Sequence, residues 1–171
     1  KVMNFDTITA PYIFSKYKPA LVVFAEKNSK EYEQYKRMLY PIAEKFLGKI
    51  KVYLTDANEG LAIKLSELMG VHIDDMPTVR IIQANSEIAE KFRMKGEINE
   101  KNIIKFVEDW ENKKIKPYLR TEEEPEDNDR EVFILVGKSF KKEVLSNDKD
   151  ILIFFFAPWC KYCKIFYPIY E

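Results

Sequence analysis

Short apolar runs alternate with longer amphipathic stretches along the first 117 residues, and this alternation limits the folds that the chain can form. The run at 21–25 (LVVFA) has no polar residue, which is typical of a strand buried on both faces. The stretch at 29–46 instead places large apolar residues three or four positions apart, which predicts a helix. Because strands and helices alternate, we expect an α/β domain with a central sheet and flanking helices.

The same signals continue to the end of this first part. Further strands are predicted at 50–54, 78–82 and 88–94, and further helices at 61–69 and 99–110. Gly48 and Gly70 follow the ends of two of the helices, which is where glycine commonly terminates a helix. Residues 1–117 are therefore predicted to form one domain.

A strongly acidic stretch follows that domain. Residues 120–131 hold seven acidic residues, two arginines and one proline, with no large apolar side chain. Such a segment cannot bury enough apolar surface to offset the entropy that it loses on ordering. We therefore predict a solvated linker at 118–131 between two folded parts of the chain.

The last part, residues 132–171, has too few residues for an independent domain, at about 40. Strands are predicted at 132–136 and 151–156, with a short helix capped by Ser139 between them. The run 151–156 is apolar at every position, so we expect it to be buried on both faces. A helix that contains Pro168 is predicted after residue 160.

Charge and hydropathy exclude several classes of function. The formal net charge is zero, which gives no basis for binding nucleic acid or an anionic membrane. The longest apolar runs are too short to cross a bilayer, so we expect no membrane insertion. The chain opens on Lys1 without a signal peptide, so we expect it to be a piece of a longer protein.

Both cysteines lie in one motif, Cys160-Lys161-Tyr162-Cys163, at the predicted start of the last helix. A helix N-terminus carries unpaired N–H groups and about half a positive charge, which stabilises a thiolate at Cys160. Lys161 adds positive charge nearby. Cys163, one turn later, is placed to attack a mixed disulfide formed at Cys160. Trp159 can shield one side of this dithiol and offer a surface to a substrate chain.

Two other interpretations of the cysteine pair stay open. A zinc site needs about four ligands, whereas the chain has no second cysteine pair and a single histidine, His72. Two inert core cysteines are the other possibility, and Pro158 and Trp159 before the pair argue against them. We expect no metal and no cofactor, since the many aromatic residues are assigned to the core.

The motif at 157–164 (APWCKYCK), followed by Pro168, is similar to the active site of a thioredoxin-fold catalytic domain. The whole chain resembles the protein disulfide isomerase family, through GKI at 48–50, MPTVR at 76–80, KIKPYL at 114–119 and LVGKSF at 135–140. Residues 1–117 resemble a non-catalytic thioredoxin-like domain with a mixed central sheet. Residues 132–171 resemble the first part of a catalytic thioredoxin-like domain, which we expect to be truncated and to be ordered by packing on residues 1–117 or on a neighbouring chain.

The resemblance implies an enzyme of the endoplasmic reticulum lumen that forms, breaks and reshuffles disulfides in client proteins. Its partners would be unfolded or disulfide-containing proteins, with Cys160 as the nucleophile and Cys163 as the resolving cysteine. Pro77 falls at the cis-proline position of the family. The alternative is a chaperone-like peptide-binding module without redox activity, because the first domain has no cysteine.

The resemblance also places a client-binding site on Val23, Ala25, Leu39 and Tyr53. Ordinary core packing is the alternative for Val23 and Ala25. Tyr53 is expected outside the core, since it lies between two apolar residues of a strand and faces the other way.

The catalytic motif departs from the family at two places. Lys161 and Tyr162 stand where the family usually has Gly-His, so no histidine is present to stabilise the thiolate and favour the reduced form. Phe154 stands where many members have a buried glutamate that assists proton transfer from the resolving cysteine. We expect a changed redox poise and slow turnover.

Overall fold

The chain has two units in a computed structural model that describes residues 1–86, 88–119, 121–146 and 148–171. The first unit is Lys1–Tyr118 and the second is Leu119–Glu171. The division falls one residue beyond 117, where the sequence pattern predicts the first domain to end. Arg120, which opens the predicted acidic stretch, lies outside the described residues.

The first unit is built on a five-stranded mixed sheet with the strand order β1-β3-β2-β4-β5. Strands β1, β3 and β2 run parallel, and β4 and β5 are antiparallel to their neighbours. Its elements, in chain order, are β1 (Val2–Met3), α1 (Ala10–Phe14), β2 (Ala20–Phe24), α2 (Lys30–Lys45), β3 (Lys51–Thr55), α3 (Ala62–Met69), a 3₁₀ turn (Ile73–Asp75), β4 (Thr78–Ala84), β5 (Ala89–Arg93) and α4 (Glu100–Glu111). The predicted thioredoxin-like sheet with flanking helices is confirmed.

The sequence pattern does not predict three short elements of this unit. They are β1, α1 and the 3₁₀ turn, which have two, five and three residues. Such pieces are too short to show a period of two or of 3.6 residues. The four strands and three longer helices that the pattern does predict agree with the structure to within a few residues.

Each face of the sheet carries its own apolar core. Alternate residues of β2 face opposite sides, as the two-residue period of a strand requires. Leu21 and Val23 join a cluster with side chains of α2 and α4, whereas Val22 and Phe24 join a second cluster with α1 and α3. The fully apolar run of β2 is thus explained by burial on both faces.

Loss of the N-cap of α4 should destabilise the first unit. The side chain of Asn99 accepts a hydrogen bond from the backbone N–H of Asn102 at 2.9 Å, so Asn99→Ala should lower the free energy of unfolding by about 1 kcal/mol. Ser29 occupies the N-cap of α2 without such a bond, so Ser29→Ala should change it by less than about 0.5 kcal/mol. Urea unfolding of the two variants measures the difference, and equal losses would show that the cap bond contributes nothing.

The second unit has two helical segments, a single π-helical turn at Lys141–Leu145 and helix α5 at Lys161–Tyr170. No strand forms in the described part of this unit, so the strands predicted at 132–136 and 151–156 are wrong. In these two regions, single side chains bond backbone groups where a neighbouring strand was expected to do so. Asn128 bonds both the N–H and the carbonyl of Ile134, and the Tyr170 hydroxyl donates to the carbonyl of Leu152.

The described residues of the acidic stretch are mostly exposed and form no helix or strand, and a few polar side chains connect the stretch to the rest of the second unit. Besides Asn128, the Thr121 hydroxyl oxygen accepts a hydrogen bond from the N–H of Gly137 at 2.7 Å. Lys138 pairs with Glu123 at 2.7 Å. Composition alone does not show these contacts, because they depend on single polar side chains rather than on apolar burial.

None of the helices in the described ranges is both long enough and apolar enough to cross a bilayer.

Candidate dithiol site

The two cysteines of the motif form a disulfide at the start of α5. Cys160 is the N-cap residue of the helix, and its Sγ lies 2.07 Å from the Sγ of Cys163. The same Sγ accepts a hydrogen bond from the backbone N–H of Cys163 at 3.2 Å. The structure thus brings together the two residues that the sequence predicts as nucleophile and resolving cysteine.

Local backbone geometry explains why the helix begins at this point. Cys160 has an extended backbone, with φ −75° and ψ 108°, and its N–H donates to the carbonyl of Ala157 at 2.9 Å. Its own carbonyl accepts from the N–H of Lys164, which is the first bond of the helix. A sulfur at the N-cap therefore faces the unpaired N–H groups of the first turn, where a negative charge is stabilised.

The disulfide is open to an incoming thiolate. Both cysteines are half-buried, and the side chains of Trp159 and Tyr162 are 85% and 82% exposed. Lys161 is exposed as well. Trp159 therefore does not cover the dithiol within this unit, but it does offer a large apolar surface directly beside it.

Edge-to-face and tilted aromatic contacts hold α5 against the extended segment that precedes the motif. The ring of Phe154 lies 5.6 Å from that of Phe156, 5.3 Å from that of Phe166 and 5.3 Å from that of Tyr170, measured between centroids. Aromatic pairs at such distances contribute about 0.5–1.5 kcal/mol each. Phe154 thus packs against the helix that carries the cysteines. Sequence reasoning missed Tyr170, although the aromatic positions 166 and 170 follow helical spacing.

Truncation of Phe154 should loosen the helix that carries the dithiol. Phe154→Ala removes three ring contacts, so amide hydrogen exchange in Lys161–Tyr170 should accelerate about tenfold or more. Phe155 is the matched control, because its side chain is 77% exposed. Phe155→Ala should leave the exchange rates nearly unchanged, and an equal acceleration in both variants would refute the packing role of Phe154.

The apolar run before the motif is largely exposed, which corrects the expectation that it is buried on both faces. Leu152, at 82%, and Phe155 are the most exposed of its side chains. An open groove of about 910 Å³ lies in this unit between residues 131–135 and 151–156, with Tyr167 and Tyr170 in its lining. Glu122, Glu131 and Glu143 add acidic groups to that lining.

The residues expected to bind clients are core residues in this structure. Val23, Ala25 and Leu39 lie together in the cluster that faces α2 and α4. They are buried and offer no surface to a client. For Val23 and Ala25, core packing was the alternative interpretation.

The expected position of Tyr53 outside the core is wrong. Its side chain is fully buried in the other cluster, which faces α1 and α3, and its hydroxyl donates to the carbonyl of Thr9 at 3.2 Å. Burial raises the pKa of Tyr53 to about 12. The N-terminal residues cover this face of the sheet: the Phe5 ring lies 6.1 Å from the Tyr53 ring, and Ile13 of α1, a helix absent from the sequence prediction, joins the same cluster.

The first unit carries a cis peptide bond between Met76 and Pro77, directly before β4. No cysteine stands before α2, where Lys27 donates its backbone N–H to Asp56 at 2.9 Å and pairs its ammonium with Glu59 at 2.6 Å. In the described ranges, no three His, Cys, Asp or Glu side chains are grouped as metal ligands.

Comparison with known proteins identifies the family. A thioredoxin-like domain model matches residues 1–109, and a thioredoxin model matches residues 131–171. The chain is 36% identical to protein disulfide isomerase-like 1-3 of Arabidopsis thaliana over 172 aligned residues, which are 99% of this chain and 29% of that protein. It is 31% identical to the protein disulfide-isomerase of Oryctolagus cuniculus, over 99% of this chain and 34% of that protein.

The chain therefore belongs to the thioredoxin-like family, and its sequence is similar to a segment of protein disulfide isomerases. It spans about a third of the length of these curated relatives.

Solved structures agree on the fold. The first thioredoxin domain of mouse protein disulfide-isomerase A4 matches with a TM-score of 0.51 and 17% identity, covering 72% of this chain and 84% of that one. The Trx4 domain of ERdj5 matches with a TM-score of 0.52 and 11% identity, covering 66% of this chain and 96% of that one.

Proposed function

We propose that this chain catalyses thiol–disulfide exchange with client proteins through Cys160 and Cys163. The observation that carries the proposal is a half-exposed Cys160–Cys163 disulfide with one sulfur at the N-cap of α5. The family and the similarity to protein disulfide isomerases support the same chemistry. Clients are the proteins whose cysteines react with this pair.

Oxidation of a client takes two exchange steps. A client thiolate attacks the Sγ of Cys160, the Cys160–Cys163 bond breaks, and Cys163 leaves as a thiolate that takes up a proton. A second client thiolate then attacks the client sulfur of this mixed disulfide, and Cys160 leaves as a thiolate. The client loses two electrons and gains a disulfide, while the protein gains the two electrons and is left as a dithiol.

The N-terminus of α5 favours Cys160 as the thiolate that leaves the mixed disulfide with the client and that attacks a client disulfide in the reverse direction. A thiolate on Cys160 accepts the N–H of Cys163 and faces the positive end of the helix dipole. Cys163 lies within the first turn of the helix and lacks this N-cap position. In the reverse direction, the Cys160 thiolate attacks a client disulfide and Cys163 releases the client, so the same pair supports reduction and isomerisation.

Client contact is proposed for the exposed aromatic side chains beside the dithiol. Trp159 directly precedes Cys160, Tyr162 directly precedes Cys163, and both are exposed. Apolar rings of this kind bind unfolded segments without demanding a particular sequence. Binding without redox chemistry is the second candidate function, favoured by the apolar groove and the exposed apolar run in the second unit.

The endoplasmic reticulum lumen is the proposed location. A Cys160–Cys163 disulfide forms and persists in an oxidising compartment. The similarity to protein disulfide isomerases supports this location.

A single-turnover assay tests the proposed function. The oxidised chain is mixed with a reduced peptide that contains two cysteines, and the disulfide of the peptide and the free thiols of the chain are counted over time. The proposal predicts one peptide disulfide for each Cys160–Cys163 bond reduced. Peptide binding with no transfer of electrons would support the binding-only alternative and refute the exchange activity.

A further inference from the structure

Arg80 is a fully buried charge in the middle of the sheet of the first unit. It lies on β4, opposite Val22 of β2 and Arg93 of β5, and its side chain is 0% exposed. None of its three guanidinium nitrogens has a hydrogen-bond partner among the described residues. A buried charged group without partners is destabilising, so an arginine at this position calls for an acceptor.

The neighbouring charges leave an excess of positive charge. Arg93 lies beside Arg80 on the next strand, and among the described residues the carboxylate near both is Asp75, whose Oδ1 lies 3.9 Å from Nη2 of Arg93. Burial, followed by repulsion from Arg93, lowers the pKa of Arg80. Two guanidinium groups thus share one acidic side chain, which leaves one positive charge without a counter-charge in this group of three.

Tyr118 covers the Arg80 guanidinium. The guanidinium carbon lies 5.7 Å from the centroid of the Tyr118 ring, close enough for a cation–π contact. An aromatic face attracts the charge but accepts no in-plane N–H hydrogen bonds of the kind that a carboxylate accepts. Tyr118 is half-buried and is the last residue of the first unit, held by its N–H on the carbonyl of Lys91.

We propose that Arg80 is a binding site for a carboxylate, and that the Tyr118 ring is its movable cover. A planar carboxylate matches the fork of guanidinium N–H donors and supplies the missing negative charge. The ring of Tyr118 swings aside when the carboxylate enters. The ligand is either a free small organic acid or an acidic side chain of a bound peptide.

Nuclear magnetic resonance of the whole 171-residue chain tests this site. The Nε–Hε signal of Arg80 is assigned as the one lost in Arg80→Met, with Arg37→Met, an exposed arginine of α2, as the control for assignment. Sodium acetate replaces sodium chloride at a constant ionic strength of about 0.15 M. In a second arm, a short peptide with one glutamate is compared with its glutamine counterpart.

The proposal predicts a saturable shift of the Arg80 signal with acetate, with the glutamate peptide, or with both, and the responding arm identifies the source of the carboxylate. In Arg80→Met, where the backbone amide signals of β4 and β5 replace the lost side-chain signal as the readout, binding should be at least about tenfold weaker. Tyr118→Ala should tighten binding, because it removes the covering ring and keeps Arg80. This variant still tests the proposal if Arg80→Met does not fold. No shift in either arm, in the parent chain and in Tyr118→Ala, would overturn the proposal and leave Arg80 as a structural charge.

Discussion

Replacement of Cys160 by serine should reduce the oxidation of a reduced two-cysteine peptide to the uncatalysed rate. Cys160→Ser removes the Cys160–Cys163 bond and the sulfur at the N-cap of α5, so no disulfide is available for exchange. The measurement is the single-turnover count of peptide disulfides formed, compared with the parent chain. This is the largest effect that we expect for any single substitution.

Cys163→Ser is the matched control, because it also removes the disulfide but keeps the N-cap sulfur. After treatment with oxidised glutathione, Cys163→Ser should hold a mixed disulfide on Cys160, since no resolving thiol can release it. Mass spectrometry should show far less adduct on Cys163 of Cys160→Ser. Equal adducts in the two variants would show that the N-cap position gives Cys160 no advantage as the nucleophile.

Truncation of Leu39 should have the largest effect on stability. Leu39 is fully buried in α2 against the sheet, so Leu39→Ala should lower the free energy of unfolding by about 2–5 kcal/mol. Leu47→Ala is the matched control, because Leu47 is 76% exposed and its truncation should cost less than about 0.5 kcal/mol. Urea unfolding followed by circular dichroism measures both.

The same pair of variants separates the two interpretations of Leu39. Truncation of a core residue lowers the stability of the protein. Truncation of a client-contacting residue weakens peptide binding with little change in stability. The structure predicts the first pattern. A stable Leu39→Ala chain with weakened binding of an unfolded peptide would show that the Leu39 side chain reaches a client.

The fold of the first unit was largely predictable because its longer elements have clear periods. The apolar run of β2 and the three- and four-residue spacing in α2 arise from burial on two faces and on one face, respectively. The same periodicity gave the wrong position for Tyr53. A strand pattern shows that two residues face opposite sides, but the helix that covers the second side must be known before either side is assigned to solvent.

The second unit was less predictable for a different reason. The run 151–156 has the apolar composition of a buried strand, but a strand also needs a neighbour for its backbone hydrogen bonds. Within the described part of this unit, the Tyr170 hydroxyl of α5 donates to the carbonyl of Leu152, and rings of α5 contact the ring of Phe154. The cysteine site was predictable because a Cys-x-x-Cys pair at a helix start needs only local geometry.

The rate at which iodoacetamide modifies each cysteine of the reduced chain, followed against pH by mass spectrometry, tests the central claim most directly. The claim is that the N-terminus of α5 stabilises a thiolate on Cys160. The account predicts that Cys160 reacts well before Cys163 and already reacts rapidly near neutral pH. If both cysteines react alike, and only as the pH approaches the ordinary thiol range of about 8.5, the helix N-terminus does not activate Cys160.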